Sequence, residues 1–270
     1  MKRTRLIFLI FVFLQVFSFA FGAPIVIYGD SRHNHSIHRK VVSAILKLKP
    51  TTVFHLGDFV DRGSSLKDWQ AFKEITSKLL KSAEFFPVLG NHEQGSALFF
   101  KNFNLANNQS WYSVERQGIH FTILDSTHGF SPNSPQYRWL ESDLSSIKDN
   151  VRFRIVLLHH PILSVGGYNI GRKNLKFLLP LFKRYRISAV FCGHDHNYQR
   201  FLQNNIYYID TGGGGAPLYS QTRSSPYLQK FVKDYHFCAL LLEDGTLNVK
   251  VFDTNLNLID EFKIPSPSSK

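Results

Sequence analysis

The chain is 270 residues long, 43% hydrophobic and 19% charged, with a formal charge of +12 at pH 7. No internal repeat or low-complexity block interrupts it, which leaves no room for a repeat architecture, and its length suits one domain. The basic excess favours anionic partners such as phosphoesters, nucleic acid or an anionic envelope surface, and carries no information about fold.

Residues Met1 to Ala23 combine Lys2, Arg3 and Arg5 with an apolar stretch from Leu6 to Leu14 and small residues at Ala20, Gly22 and Ala23. A basic end, a short apolar core and a small-x-small site make residues 1–22 a secretory signal peptide. This predicts an exported protein, periplasmic or extracellular, with a domain over residues 23–265 and a short tail over 266–270. An uncleaved leader would make it membrane-anchored instead. No cysteine lies near the site, so a lipid-modified terminus is not indicated.

Ile25-Val26-Ile27-Tyr28 is the first apolar run, and it ends in Gly29-Asp30-Ser31-Arg32. A helical pattern at 36–48 leads to Val53–Leu56, which ends in Gly57-Asp58-Phe59-Val60-Asp61-Arg62-Gly63. A second helical pattern at 66–81 leads to Phe86–Leu89, then Gly90-Asn91-His92-Glu93. That rhythm predicts a parallel sheet with covering helices. Trp111–Val114 and Ile119–Leu124 read as paired strands and Gln136–Ile147 as a helix. A strand at Ile155–Leu158 ends in His159-His160-Pro161. A helix at Asn174–Tyr185 and a strand at Ala189–Cys192, ending in Gly193-His194-Asp195-His196, restore the alternation. Ile206–Ile209, Phe237–Leu242, Asn248–Phe252 and Leu258–Ile264 are strand-like without long helices between them, and suggest a second sheet packed on the first. Cys192 and Cys238 lie inside apolar runs and read as buried thiols rather than a disulfide.

Five apolar runs broken by carboxylates, an amide and imidazoles are not accidental. Ligands bind outside the carboxyl ends of strands in an α/β sheet, so five such ends converge on one crevice. Mixed oxygen and nitrogen donors suit borderline ions such as Zn²⁺, Mn²⁺ or Fe.

This ordered set, Gly-Asp, Gly-Asp-x-x-Asp, Gly-Asn-His-Glu, His-His-Pro and Gly-His-x-His, resembles the calcineurin-like metallophosphoesterase superfamily from about Ile25 to Tyr219. Asn197-Tyr198-Gln199-Arg200 and the segment Tyr208 to Pro217, with its glycines at 212–215, resemble the purple-acid-phosphatase-like branch. The resemblance implies an α/β four-layer sandwich, two mixed β-sheets flanked by helices. It also implies two divalent or trivalent metal ions (Fe, Mn or Zn) and hydrolysis of phosphomonoesters or phosphodiesters by metal-activated hydroxide attack. On the family's pattern Asp58 bridges the ions, Asp30 and His196 complete one site, and Asn91, His159 and His194 complete the other. His160 then packs behind the ligands. His92 would stabilise the transition state or protonate the leaving oxygen, Glu93 would orient its other nitrogen, and Arg62 would clamp phosphate. The glycine run is a loop that lets backbone approach the site.

The chain departs from the pattern in one place. Many relatives carry Asp-x-His where this chain has Asp30-Ser31-Arg32, and purple acid phosphatases place a ligating tyrosine where it has Asp61. Either Asp61 replaces the missing ligand, or Arg32 pairs with Asp61 and leaves a weaker first site or a single-metal enzyme. A third possibility makes Arg32 a substrate-phosphate contact. No tyrosinate colour is expected. Two other functions compete: a nuclease or cyclic-nucleotide phosphodiesterase on the same scaffold, which the basic charge would suit, and a catalytically weak metal- or ligand-binding protein. The loops Thr127–Tyr137 and Val165–Lys173 would set substrate choice. His33, His35, His38, His55, His120, His128 and His236 read as structural or surface groups.

Overall fold

The structure is a computed structural model and describes residues 22–105, 107, 109–148, 150–166 and 175–266. The predicted leader, apart from its last residue, lies outside the described residues, as do 267–270 of the tail and most of the loop at 165–173.

The first three strands, β1 (Ile25–Tyr28), β2 (Thr52–His55) and β3 (Glu84–Pro87), are parallel neighbours. They are joined by helices α1 (His35–Lys47) and α2 (Leu66–Ser82). Each helix starts where a side chain satisfies an otherwise orphan N–H: Asn34 Oδ1 accepts from Ile37 N at 3.2 Å, and Ser65 Oγ from Asp68 N at 3.2 Å. A short helix, α3 (Ala97–Phe103), precedes the antiparallel pair β4 (Tyr112–Arg116) and β5 (Ile119–Ile123). Next come α4 (Pro135–Ser145), β6 (Phe153–Leu158), a 3₁₀ turn at Lys176–Leu178 running into α5 (Leu179–Arg184), and β7 (Ala189–Cys192). The predicted helix at 174–185 is therefore shorter than its apolar pattern, because Pro180 has no N–H to give and fits only in a first turn. Strands β8 (Tyr198–Gln203), β9 (Ile206–Thr211), β10 (Leu228–Val232), β11 (His236–Glu243), β12 (Thr246–Asp253) and β13 (Leu258–Ile264) complete the chain.

Two sheets result, ordered β13-β12-β11-β1-β2-β3 and β10-β8-β9-β7-β6-β5-β4. The reading of the late strands as the second sheet is corrected here. The second sheet is built from β4 to β10, while β11 to β13 return to the first, with β11 antiparallel to β1. The reason is that β11 has two apolar faces: Cys238 and Leu240 face the space between the sheets, and Phe237 and Ala239 face the α1 layer. Strand β1 is apolar throughout for the same reason, with Ile25 and Ile27 between the sheets and Val26 and Tyr28 under α1. Helices α4 and α5 cover the other outer face, where Leu140, Leu144 and Phe182 pack against Val156 and Val190. The layers are thus helix, sheet, sheet, helix. Cys192 and Cys238 sit in different sheets as buried free thiols. Among the described residues no helix is long and apolar enough to cross a membrane.

Strand β8 escapes a sequence reading because Tyr-Gln-Arg-Phe-Leu-Gln is too polar to suggest an interior strand. Its polar groups are satisfied by distant partners: Tyr198 Oη and Arg200 Nε donate to Asp260 Oδ2 at 2.8 and 2.7 Å, and Gln199 Oε1 accepts from Val165 N at 2.7 Å.

His38 in α1 is fully buried against Tyr28 and Phe72. Burial pushes its imidazole down from 6.5 to about 3, helped by His35 and Arg39. The unfolded chain therefore takes up this proton first, so the contribution to stability is complete above pH 6.5 and is lost as pH falls towards 3. Unfolding free energy is expected to drop over that window by about 1.4 kcal/mol per pH unit from this residue. Urea titrations at stepped pH check this, and the slope should shrink in His38→Gln.

Candidate metal centre

The centre lies where the carboxyl ends of β1, β2 and β3 in one sheet meet those of β6 and β7 in the other. It straddles two sheets rather than filling the crevice of one. Three of its residues hold left-handed backbone conformations, with φ of 58° at Asp30, 57° at Asp58 and 68° at His194. Such angles are unfavourable for side chains other than glycine and asparagine or aspartate, and they aim the strand-end groups sideways into the cleft. Gly90 is required by proximity, because a Cβ there would lie 2.2 Å from Asp58 N.

The donors converge closely. Asn91 Oδ1 is 2.9 Å from His159 Nε2 and 3.0 Å from His194 Nδ1, and those two nitrogens are 3.3 Å apart. Asp58 Oδ1 lies 3.4 Å from His159 Nε2. On the other side Asp30 Oδ1 lies 3.4 Å from His196 Nε2. Asp30, Asp58 and His159 can each offer one atom to a common ion, as can His159, His160 and His194.

The chemistry of the set fits a cation. His159 Nδ1 sits 2.8 Å from the Leu56 carbonyl and His196 Nδ1 2.8 Å from the Pro217 carbonyl. With Nδ1 given to a carbonyl, each ring has its Nε2 turned towards carboxylate and amide oxygens, the face by which an imidazole ligates an ion. Lone pairs crowded against lone pairs repel unless a positive charge sits among them. Burial, with His159 beside it, pushes His194 down to about 3, which keeps it a neutral donor. Asp30 Oδ1 is buried and has no hydrogen-bond partner among the described residues, an arrangement costly for a carboxylate without a cation. Burial opposes ionisation of Asp58, but His159, His92 and Arg32 together hold its carboxyl well below the usual range.

Arg32 stands between Asp58 and Asp61, with Nε 3.4 Å from Asp58 Oδ2 and Nη1 3.2 Å from Asp61 Oδ1. His92 places Nδ1 2.8 Å from the Asp61 carbonyl and Nε2 3.8 Å from Asp58 Oδ2. The expectation that Glu93 orients His92 is corrected, since the Asp61 carbonyl takes that part. Glu93 is buried and accepts instead from the backbone N–H groups of Asp58, Phe59, Val60 and Gly90, at 2.9 to 3.3 Å. Two loops are pinned to each other by one carboxyl group. Burial and the Asp58 charge push that carboxyl up, against the four donors that favour its anion. Glu93→Gln sets an NH₂ group against these N–H donors and is expected to cost about 2–3 kcal/mol in denaturant unfolding. Arg62 is exposed, and its carbonyl accepts from Ser65 N at 2.9 Å.

The His160 ring lies 4.5 Å from that of His194, tilted by 45°, and its ring and backbone N are held by Ser126 Oγ at 3.0 and 2.9 Å. Ser126 had no signal in the sequence beyond following the β5 run. Asp195, between the two clustered histidines, accepts from Ser164 Oγ and Gln199 Nε2. The glycine loop lies on the Asp30 turn, with Gly214 N donating to Gly29 O and Ala216 N to Asp30 O at 2.8 and 2.9 Å. Of the remaining histidines, His55 bonds Ser31 Oγ, His120 pairs with Asp143 and His128 with Asp125. His236 packs behind Gly213.

A calcineurin-like phosphoesterase family model matches residues 23–198. The chain belongs to that family. This phosphoesterase chain is 26% identical over 170 residues to a purple acid phosphatase of Glycine max, covering 56% of its own length and 37% of the soybean protein's. In fold it matches purple acid phosphatase PPD1 from yellow lupin (Lupinus luteus) with a TM-score of 0.78 at 19% identity, over 90% of this chain and 53% of that one. GAP50, the anchor in the inner membrane complex of Plasmodium, matches with a TM-score of 0.77 at 21% identity, over 92% and 90%. The family match spans the turns that carry Asp30, Asp58, Asn91, His159, His194 and His196.

Proposed function

We propose that this chain hydrolyses phosphomonoesters or phosphodiesters in a metal-dependent reaction, and that residues 1–22 direct its export. The observation that carries the reading is the cluster of Asn91, His159, His194 and Asp58, whose lone pairs meet within 3.4 Å. With Asp30 and His196 these residues would hold the metal. Bound ions supply Lewis acidity towards the phosphoryl oxygens and acidify water at neutral pH. The protein's own part is positioning. Leu56 and Pro217 fix the tautomers of two imidazoles, Glu93 locks the loops that carry Asp58 and Asn91, and His92, with its Nδ1–H held by the Asp61 carbonyl, would as the imidazolium pass the Nε2 proton to the departing oxygen.

Counting bound metal while assaying a generic monoester and a generic diester tests this. Metal-dependent turnover of either supports it, and a metal-loaded chain inert to both overturns it. That second result is the one expected of a catalytically weak binding protein, a reading favoured by the guanidinium inside the centre and by a structural neighbour named as an anchor. Sequencing the N-terminus of secreted material checks the leader.

A further inference from the structure

Arg32 is built into the carboxylate half of the centre. Its N–H donates to the Asp58 carbonyl at 3.2 Å, its guanidinium spans Asp58 Oδ2 and Asp61 Oδ1, and its side chain is only 14% exposed. A guanidinium has donors and no lone pair, so it cannot ligate an ion and repels one placed beside it. The two halves of the centre are therefore unequal. Asn91, His159 and His194 form a compact set of one amide oxygen and two imidazole nitrogens, with no arginine or lysine inside it among the described residues. Asp30 and His196 must instead share Asp58 with a fixed positive charge. Charge counting points the same way: one divalent ion and one guanidinium balance the carboxylates of Asp30, Asp58 and Asp61, whereas two divalent ions leave an excess.

We infer that the centre takes up one divalent ion tightly, through Asn91, His159, His194 and Asp58, and that Arg32 supplies the second positive charge. This rests on the reading of the centre as a metal site. The substrate class is that of the proposed function: a phosphoryl group would lie between one ion and the guanidinium, taking only the N–H groups not already given to Asp58 and Asp61.

The test is metal stoichiometry in the full chain, by elemental analysis after desalting and by titration of the apo-protein with Mn²⁺, read by calorimetry and electron paramagnetic resonance. Wild type is expected to hold one tight ion with an isolated six-line Mn²⁺ signal. In Arg32→His and Arg32→Gln a second ion should appear, bound about 10²-fold more tightly than any second ion of the wild type, with exchange coupling between the two. Thermal melts establish that each variant is folded, and Arg32→Gln serves if Arg32→His is not. Two equally tight ions in wild type overturn the inference and leave the metal reading intact. One ion in wild type and in the folded variants also overturns it, because Arg32 is then not what limits the count. No bound ion in a folded wild type overturns the metal reading itself.

Discussion

Asp58→Asn is expected to strip the centre of metal and of hydrolytic activity together. Both carboxylate oxygens are in use. Oδ1 accepts from His92 N at 3.0 Å and faces His159 Nε2, while Oδ2 faces Arg32 Nε and His92 Nε2. The amide of asparagine has one acceptor and one donor, so either orientation turns N–H groups against N–H groups, and the negative charge that draws a cation is gone. Bound metal should fall below one ion per chain, and turnover of a generic phosphoester by about 10³-fold or more. Circular dichroism should remain that of the native chain, because Glu93 still ties the loops. Full metal content with unchanged turnover would remove the basis for placing the centre here.

His92→Ala is expected to separate what Asp58→Asn removes at once. The imidazole approaches Asp58 only at 3.8 Å and is held through the Asp61 carbonyl, so metal content should be unchanged. Turnover should fall by about 10²- to 10⁴-fold, the usual share of a positioned proton donor. The defect should shrink with a p-nitrophenyl leaving group, which departs without a proton. A variant that loses metal instead would make His92 a ligand, and an equal loss for poor and good leaving groups would assign it to transition-state charge rather than to proton transfer.

Much of the centre was legible because a buried parallel strand is nearly all apolar, and the first polar residue past its end stands out. Asp30, Asp58, Asn91, His159 and His194 could each be read off in that way, and each lies at the end of the strand expected. Sheet membership was less legible. Nothing local in His236–Glu243 says that it will pair with β1 rather than with the strands just before it, since the choice is made by side chains on both of its faces. The role of Glu93 was hidden for a related reason. Its partners are backbone N–H groups, which every residue has and no pattern marks. Arg32 was visible as a departure, but only its distances to Asp58 and Asp61 show that it pairs with both.

The pairing of Ile25 with Leu240 has a kinetic side. The strand that delivers Asp30 has one of its two neighbours near the far end of the chain, and contacts between distant segments form slowly because a long loop must close first. A chain still emerging from the ribosome has β1 with an open edge, and the aspartate turn beyond it has no settled place. The first sheet stays incomplete until β11 arrives, and with it the packing along the free edge of the strand that carries Asp30.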